Sequence, residues 1–153
     1  MFDRIVNGGN IPALERALQF SSARQQVIAN NLANIETPGF RPTDVSPVEF
    51  QQALAGALEA RQRAAAAGVG YAGLEADDGG LELQHSDQIR IGAHGLELSP
   101  APIGDGILFH DGNDRNMERI LQSLTENLTA FRFAATLMRR QFASLETAIR
   151  ERM

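Results

Sequence analysis

The sequence predicts a mainly α-helical protein whose long N- and C-terminal helices pair as an antiparallel, coiled-coil-like hairpin. Two observations favour this fold. Near both ends of the 153-residue chain, positions in alternating steps of three and four are mostly apolar, which is typical of helices that pack along a seam. The stretch between them carries a shorter helical pattern and then glycine-rich pieces. We therefore divide the chain into residues 1–40, 41–110 and 111–153, with the middle part projecting away from the hairpin.

The N-terminal helix is predicted from Ile11 to Asn34. Its seam positions 11, 14, 18, 21, 25, 28, 32 and 35 are apolar in six of eight cases. Asn10 suits the N-cap, and Pro12 fits the first turn, where its missing N–H does no harm. Asn34 is expected to end the helix in a left-handed conformation.

The C-terminal helix is predicted from Asp114 to Arg150, capped by Asp114 or Asn116, and would be about 55 Å long at roughly 1.5 Å per residue. Its seam follows the four-three alternation over more than four heptads, and all ten positions are apolar. They are Met117, Leu121, Leu124, Leu128, Phe131, Ala135, Met138, Phe142, Leu145 and Ile149. An apolar stripe is usually core. Because this one is long, regular and at the end of the chain, we predict that its partners include other chains.

A shorter helix is predicted in the middle, from about residue 47 to 67. Ser46 to Glu49 has the spacing of a capping box, with proline at the first helical position, and Gly68 and Gly70 end the helix. The pieces LELQ, IRIG, LEL and ILF that follow, between residues 81 and 109, alternate in polarity. They predict either a small β-hairpin region or a loop that orders against a partner.

The composition argues against several classes of protein. The formal net charge is −5, and the 14 basic residues are all arginine without a long cluster, so nucleic acid is not an expected partner. Cysteine is absent, which excludes disulfides and thiol nucleophiles. No apolar run is long enough for a membrane span, and the first residues lack the pattern of a cleavable signal peptide.

Catalytic, metal and cofactor sites are not expected. The three histidines, His85, His94 and His110, are too far apart to place two ligands on one helical face. The run HDGND from His110 resembles a calcium loop, but Arg115 occupies a position where an oxygen ligand is needed. Acidic residues show no recognisable acid–base pairing. An enzyme is therefore the least favoured class.

The most specific motif is NNLANIETPGF, at the end of the first predicted helix. Pro38 disfavours a helical conformation at the preceding threonine, and Gly39 permits positive φ, so a tight turn is expected. Asparagine is a mediocre helix former, and three of them beside one apolar seam need a reason. The motif residues are Asn30, Asn31, Leu32, Ala33, Asn34, Thr37, Pro38, Gly39 and Phe40.

This motif resembles the signature of the bacterial flagellar rod and hook axial proteins. The wider stretch from Arg24 to Leu54 is similar to the proximal-rod type, which has a short Asp-Val…Phe…Leu element after the motif. The C-terminal helix resembles the same family at Glu118, Asn127 and Phe131. The resemblance covers roughly residues 10–54 and 107–150.

The resemblance implies a structural subunit of the flagellar basal-body rod that polymerises through its terminal helices. It implies as partners other copies, adjacent rod proteins, the base-to-rod junction protein and the flagellar type III export apparatus, with export into the periplasm-spanning rod without a cleaved signal peptide. The motif asparagines would then fix the register between neighbouring subunits. The alternatives are another axial rod subunit and a soluble cytoplasmic coiled-coil adaptor.

Overall fold

A computed structural model describes residues 10–66, 81, 83–84, 86–92, 95–103 and 117–151. These residues form three helices and four short strands. None of the helices in this described part combines the length and apolarity needed to cross a membrane. In chain order the elements are α1 (Ile11–Ala33), β1 (Thr43–Asp44), α2 (Pro47–Ala66), β2 (Ile89–Gly92), β3 (Gly95–Leu98), β4 (Ala101–Pro102) and α3 (Met117–Arg150).

The start of α1 lies where the sequence places it. Asn10 occupies the N-cap position, and its carbonyl accepts the N–H of Leu14 at 3.0 Å. Its side chain makes no capping hydrogen bond, so the cap contributes less than the residue type suggests. Pro12 lies in the first turn, as expected, and is buried.

The two long helices pair antiparallel, which confirms the predicted hairpin. Ile28 of α1 and Ile35, just after its end, pack with Ile120 near the start of α3. Further along α3, Asn127 bonds to the earlier α1 residues Ser21 and Gln25. Contacts thus move toward the start of α1 as they move toward the end of α3. The expected caps at Asp114 and Asn116 lie outside the described residues.

The main apolar cluster lies nearer the start of α1 than this isoleucine contact. Phe20 of α1 stacks on Phe50 of α2, with ring centroids 4.1 Å apart and planes at 7°. Leu81, Leu83 and Ile89 complete the cluster from the middle of the chain. The described residues of the middle part therefore pack against α1 rather than projecting away from it, because their apolar side chains need a surface to cover them.

The start of α2 uses half of the predicted capping box. The Ser46 hydroxyl accepts the Glu49 N–H at 3.3 Å. The Ser46 N–H instead donates to the Gln88 side chain at 2.9 Å, while the Glu49 carboxylate accepts the Ser86 hydroxyl at 3.3 Å. Side chains before β2 thus replace the reciprocal bond and attach the middle segment to α2.

The described β structure consists of two small antiparallel pairs. In the first, β2 pairs with β3, with Ile89 opposite Leu98 and Gly92 opposite Gly95. In the second, β1 pairs with β4, with Thr43 opposite Pro102. The IRIG and LEL pieces therefore form a hairpin, one of the two alternatives. The ILF piece and the glycines expected to end α2 lie outside the described residues.

Candidate assembly site

The asparagine motif ends α1 through bonds among its own residues. The Asn34 side-chain amide donates to the Asn30 carbonyl at 2.9 Å and to the Asn30 side-chain oxygen at 3.0 Å, and the Asn34 backbone N–H donates to the same carbonyl at 3.1 Å. The prediction of a left-handed Asn34 is wrong, since its φ is −105°. These bonds satisfy the Asn30 carbonyl, in the last turn of the helix, without that conformation.

The turn that follows is built as the sequence predicts. The Thr37 N–H donates to the Asn34 carbonyl at 2.9 Å, and the Phe40 N–H donates to the Thr37 carbonyl at 3.1 Å. Gly39 has φ of +74°, the left-handed region that other residues avoid. Pro38 and Gly39 are exposed and Phe40 is half-buried. The turn directs the chain back along α1.

Asn31 holds the returning chain against α1, because its side chain bonds to the backbone of Thr43 as a neighbouring strand would. Its side-chain amide donates to the Thr43 carbonyl at 2.6 Å, and its side-chain oxygen accepts the Thr43 N–H at 3.1 Å. Asn31 is buried, so this pair of bonds forms away from water. Asn31 thus has a role inside one chain, while the expectation that the motif asparagines fix the register between subunits stays a prediction.

Asp44, the next residue of β1 after Thr43, forms an ion pair that also attaches this strand to α1. The Arg24 guanidinium binds both carboxylate oxygens of Asp44, at 2.8 Å from Nε and 2.5 Å from Nη2. One of these oxygens also accepts the Val45 N–H at 2.8 Å. The two-bond geometry is the strong form of such a pair. Arg24, Asn31, Thr43 and Asp44 are called the junction below.

Other motif residues face outward. Leu32 is exposed, as are Asn30 and Ala33. The motif thus divides into Asn31, which binds inside the chain, and a surface beside the end of α1. Sequence reasoning used Asp44 only as a point of resemblance and missed Arg24. The available signal was that Arg24 and Asn31 lie seven residues apart, on one face of α1.

On α3, the stripe that contacts α1 consists of Ile120, Asn127 and Ala134, which are buried. The Asn127 amide donates to the Ser21 carbonyl at 2.8 Å and to the Gln25 side chain at 2.9 Å. A single buried amide of this kind fixes the register of two helices. Asn127 therefore holds the register within the hairpin.

The predicted C-terminal seam lies beside this stripe and mostly faces away from α1. Met117, Leu121, Phe131, Phe142 and Ile149 are between 39% and 48% exposed. Leu124, Leu128, Ala135, Met138 and Leu145 are half-buried, and Leu124 joins the cluster with Ile120. The hairpin thus pairs mainly through a neighbouring heptad stripe. That stripe is not evident from the apolar pattern of the sequence, because Asn127 is polar and Ala134 is small.

This arrangement is suited to binding apolar surfaces. Among the described residues, no three histidine, cysteine, aspartate or glutamate side chains lie together as metal ligands would. His85, His94, His110 and the HDGND run lie outside the described residues. Outward-facing apolar side chains along a long helix typically mark an interaction surface.

Comparison with known proteins connects this geometry to a family. Residues 11–41 match the model of the family described as flagella basal body rod protein. That segment is α1 and the turn that follows it. The chain is also 25% identical over 141 residues to the flagellar basal body rod protein FlgB of Bacillus subtilis (strain 168). This similarity covers 92% of the chain and 93% of the relative, so it includes most of α3 as well.

Proposed function

We propose that this chain, which belongs to the flagellar basal body rod protein family, polymerises through the exposed seam of α3. We further propose that it lies at the proximal end of the rod. The chain is a structural subunit of the flagellar basal body rod. The similarity to FlgB over 92% of the chain supports the proximal position over that of another axial subunit. The family also favours the rod over a cytoplasmic adaptor.

The exposed seam is the observation that carries this proposal. Five of its apolar side chains face outward between Met117 and Ile149, a distance of about 48 Å along the helix. A folded monomer rarely exposes an apolar stripe of that length, because burying it would lower the free energy. A neighbouring subunit in a rod would cover it.

The proposed partners follow from the rod. Other copies and adjacent rod proteins would contact the seam and the outward residues of the motif, Leu32 and Ala33, which are exposed near the end of α1. The base-to-rod junction protein would contact the subunits at the proximal end. We further propose that the chain reaches this place through the flagellar type III export apparatus without cleavage of a signal peptide.

Electron microscopy of basal structures from cells that lack this gene tests the proposed function. We expect membrane rings without a rod, and rods restored by the unchanged gene. The double variant Leu121→Glu, Phe131→Glu should fail to restore them, because charge on the seam opposes its burial. The control Thr125→Glu, Thr129→Glu changes two exposed residues of the same helix and should restore rods. Complete rods in cells without the gene would overturn the proposal.

A further inference from the structure

We propose that a groove between the three helices binds the C-terminal end of α3 from a second copy of the chain. This inference rests on the proposed function and names one contact within it. The groove has a volume of about 440 Å³, and its wall includes Ala13, Ala17, Phe50, Leu54, Ala130 and Phe133. Apolar side chains thus come from all three helices, which is how helix-binding grooves are built.

Phe133 is the observation that the seam does not explain. It is 66% exposed, more than any other exposed large apolar residue in the described part of the chain. It follows the seam residue Phe131 by two positions, which places it about 200° further around α3. A neighbour that covers the seam would leave Phe133 in water, whereas a helix seated in the groove would cover it.

The segment that we propose to bind in the groove is the end of α3, because α3 is longer than α1 and extends beyond it. Ala134 and Leu137 line the groove together with Ala13 and Leu14, at the first turns of α1. From Met138 to Arg150, α3 continues past the first described turn of α1 for about 18 Å. Phe142 and Ile149 are exposed on this segment, and with Met138 and Leu145 they form one stripe. We call residues 138–150 the overhang.

The dimensions of the groove and the overhang agree. The α1 wall of the groove runs from Ala13 to Arg24, about 16 Å at the helical rise. Phe142 and Ile149 are two turns apart, or about 10 Å. The groove is therefore long enough for both side chains of the overhang.

The charges also agree. The overhang carries Arg139, Arg140 and Arg150 against the single acid Glu146. The groove is lined by the charged residues Glu126 and Arg24. Glu126 is exposed, whereas the charge of Arg24 is neutralised by its ion pair with Asp44. A basic helix end would therefore approach the Glu126 carboxylate, which favours this orientation of the partner.

A contact between two different surfaces of the same chain has a consequence for assembly. Such a head-to-tail contact leaves one groove and one overhang free at the two ends, so it continues into an open helical filament unless it closes into a ring. The groove contact would use the overhang part of the seam and join subunits end to end, while the part of the seam from Met117 to Phe131 joins them side by side. A rod needs both directions.

Engineered cysteines test this contact in assembled basal bodies, since the natural chain has none. Gln51→Cys places a thiol on the groove wall, and Gln141→Cys places one beside Phe142; both positions are exposed. Cells that express both single variants should give a disulfide dimer that contains one copy of each. Either variant alone should give none. The control pair of Gln141→Cys with Arg63→Cys, at the far end of α2, should also give none.

A second variant examines the groove itself. Ala130→Trp fills it from an exposed position and should reduce the disulfide dimer about tenfold, the effect of losing one central apolar anchor. Thr129→Trp, on the adjacent exposed position, should leave the dimer unchanged. The doubly substituted chain Arg90→Cys, Glu97→Cys, two exposed residues directly opposite each other in the β2–β3 pair, provides an internal disulfide that shows the oxidation works.

The same preparations separate the two proposals. Rods that are present without the Gln51–Gln141 disulfide would overturn the groove contact and leave the rod function intact. A dimer formed by Gln51→Cys alone would also overturn it, because two grooves would then face each other. Rods that form in the absence of the gene would instead overturn the proposed function.

Discussion

The junction and the outer face of α3 differ in whether their side chains have partners within the chain. At the junction, the polar groups of Arg24, Asn31 and Asp44 are bonded within the chain. On the outer face of α3, Leu121 and Phe131 are apolar and exposed. The junction thus completes its interactions when one chain folds, whereas the outer face lacks a partner until chains meet.

This contrast separates residues that serve the fold from residues that serve assembly. Removal of a junction side chain leaves a partly buried polar group without its partner, so the cost falls on the stability of the single chain. Truncation of a seam side chain reduces the apolar surface that the monomer exposes to water, so it costs the monomer little stability. Three sets of substitutions test this division, and a fourth compares two glycines; they are taken from the largest expected effect to the smallest.

Arg24→Ala should destabilise the chain most, by about 3 to 5 kcal/mol, because it leaves the Asp44 carboxylate partly buried without its counter-ion. Urea denaturation followed by circular dichroism measures the change. Glu146→Ala is the matched control, since Arg150 and Glu146 form an equally short pair in which the arginine side chain is 78% exposed, against 6% for Arg24. That control should cost at most about 0.5 kcal/mol. Equal losses would contradict the assignment of the junction to the fold.

Two neighbouring residues of α3 give the second test. Ile120 is 5% exposed and packs on α1, while Leu121 is 45% exposed. Ile120→Ala should cost about 2 to 4 kcal/mol of unfolding free energy. Leu121→Ala should change it by less than about 0.5 kcal/mol and should instead reduce the number of rods seen by electron microscopy. A Leu121 variant that unfolds easily but still assembles would reverse the proposed roles.

Asn31→Ala should destabilise the chain by about 2 kcal/mol, because the Thr43 N–H and carbonyl both lose their partner. Asn31→Asp retains an acceptor for the N–H but places a buried carboxylate oxygen against the Thr43 carbonyl, so in a denaturant titration it should cost at least as much as Asn31→Ala. Asn30→Ala, at the adjacent exposed position, should cost about 0.5 kcal/mol or less. An Asn31→Ala protein that is stable but does not assemble would restore the idea that Asn31 acts between subunits.

The sequence was sufficient for the elements that depend on local pattern. Both described ends of α1 and the start of α2 agree with the predictions to within one residue, because proline, asparagine and serine act over a single turn there. The turn at Gly39 was predicted for the same reason. A specific motif of nine residues also led to the family that the comparisons later supported.

The partners of each residue could not be predicted, because they depend on segments far apart in the chain. Asn31 bonds to Thr43, twelve residues away, and Asn127 bonds to Ser21, 106 residues away. The regular apolar seam of α3 indicated a packed face, but the face that packs on α1 contains an amide and an alanine. Periodicity alone therefore identified the helix and not its inner side.

The smallest expected effect concerns two glycines for which the same substitution should have opposite signs. A Cβ added at Gly39 or at Gly56 would meet no atom within 4 Å, so only the backbone decides. Gly39 has φ of +74°, and Gly39→Ala should cost about 1 kcal/mol, because alanine disfavours that region. Gly56 lies inside α2, and Gly56→Ala should stabilise the chain by about 0.5 to 1 kcal/mol, since alanine is the better helix former. Thermal denaturation of both variants measures the two shifts, and a neutral Gly39→Ala would mean that the turn is free to adopt another conformation.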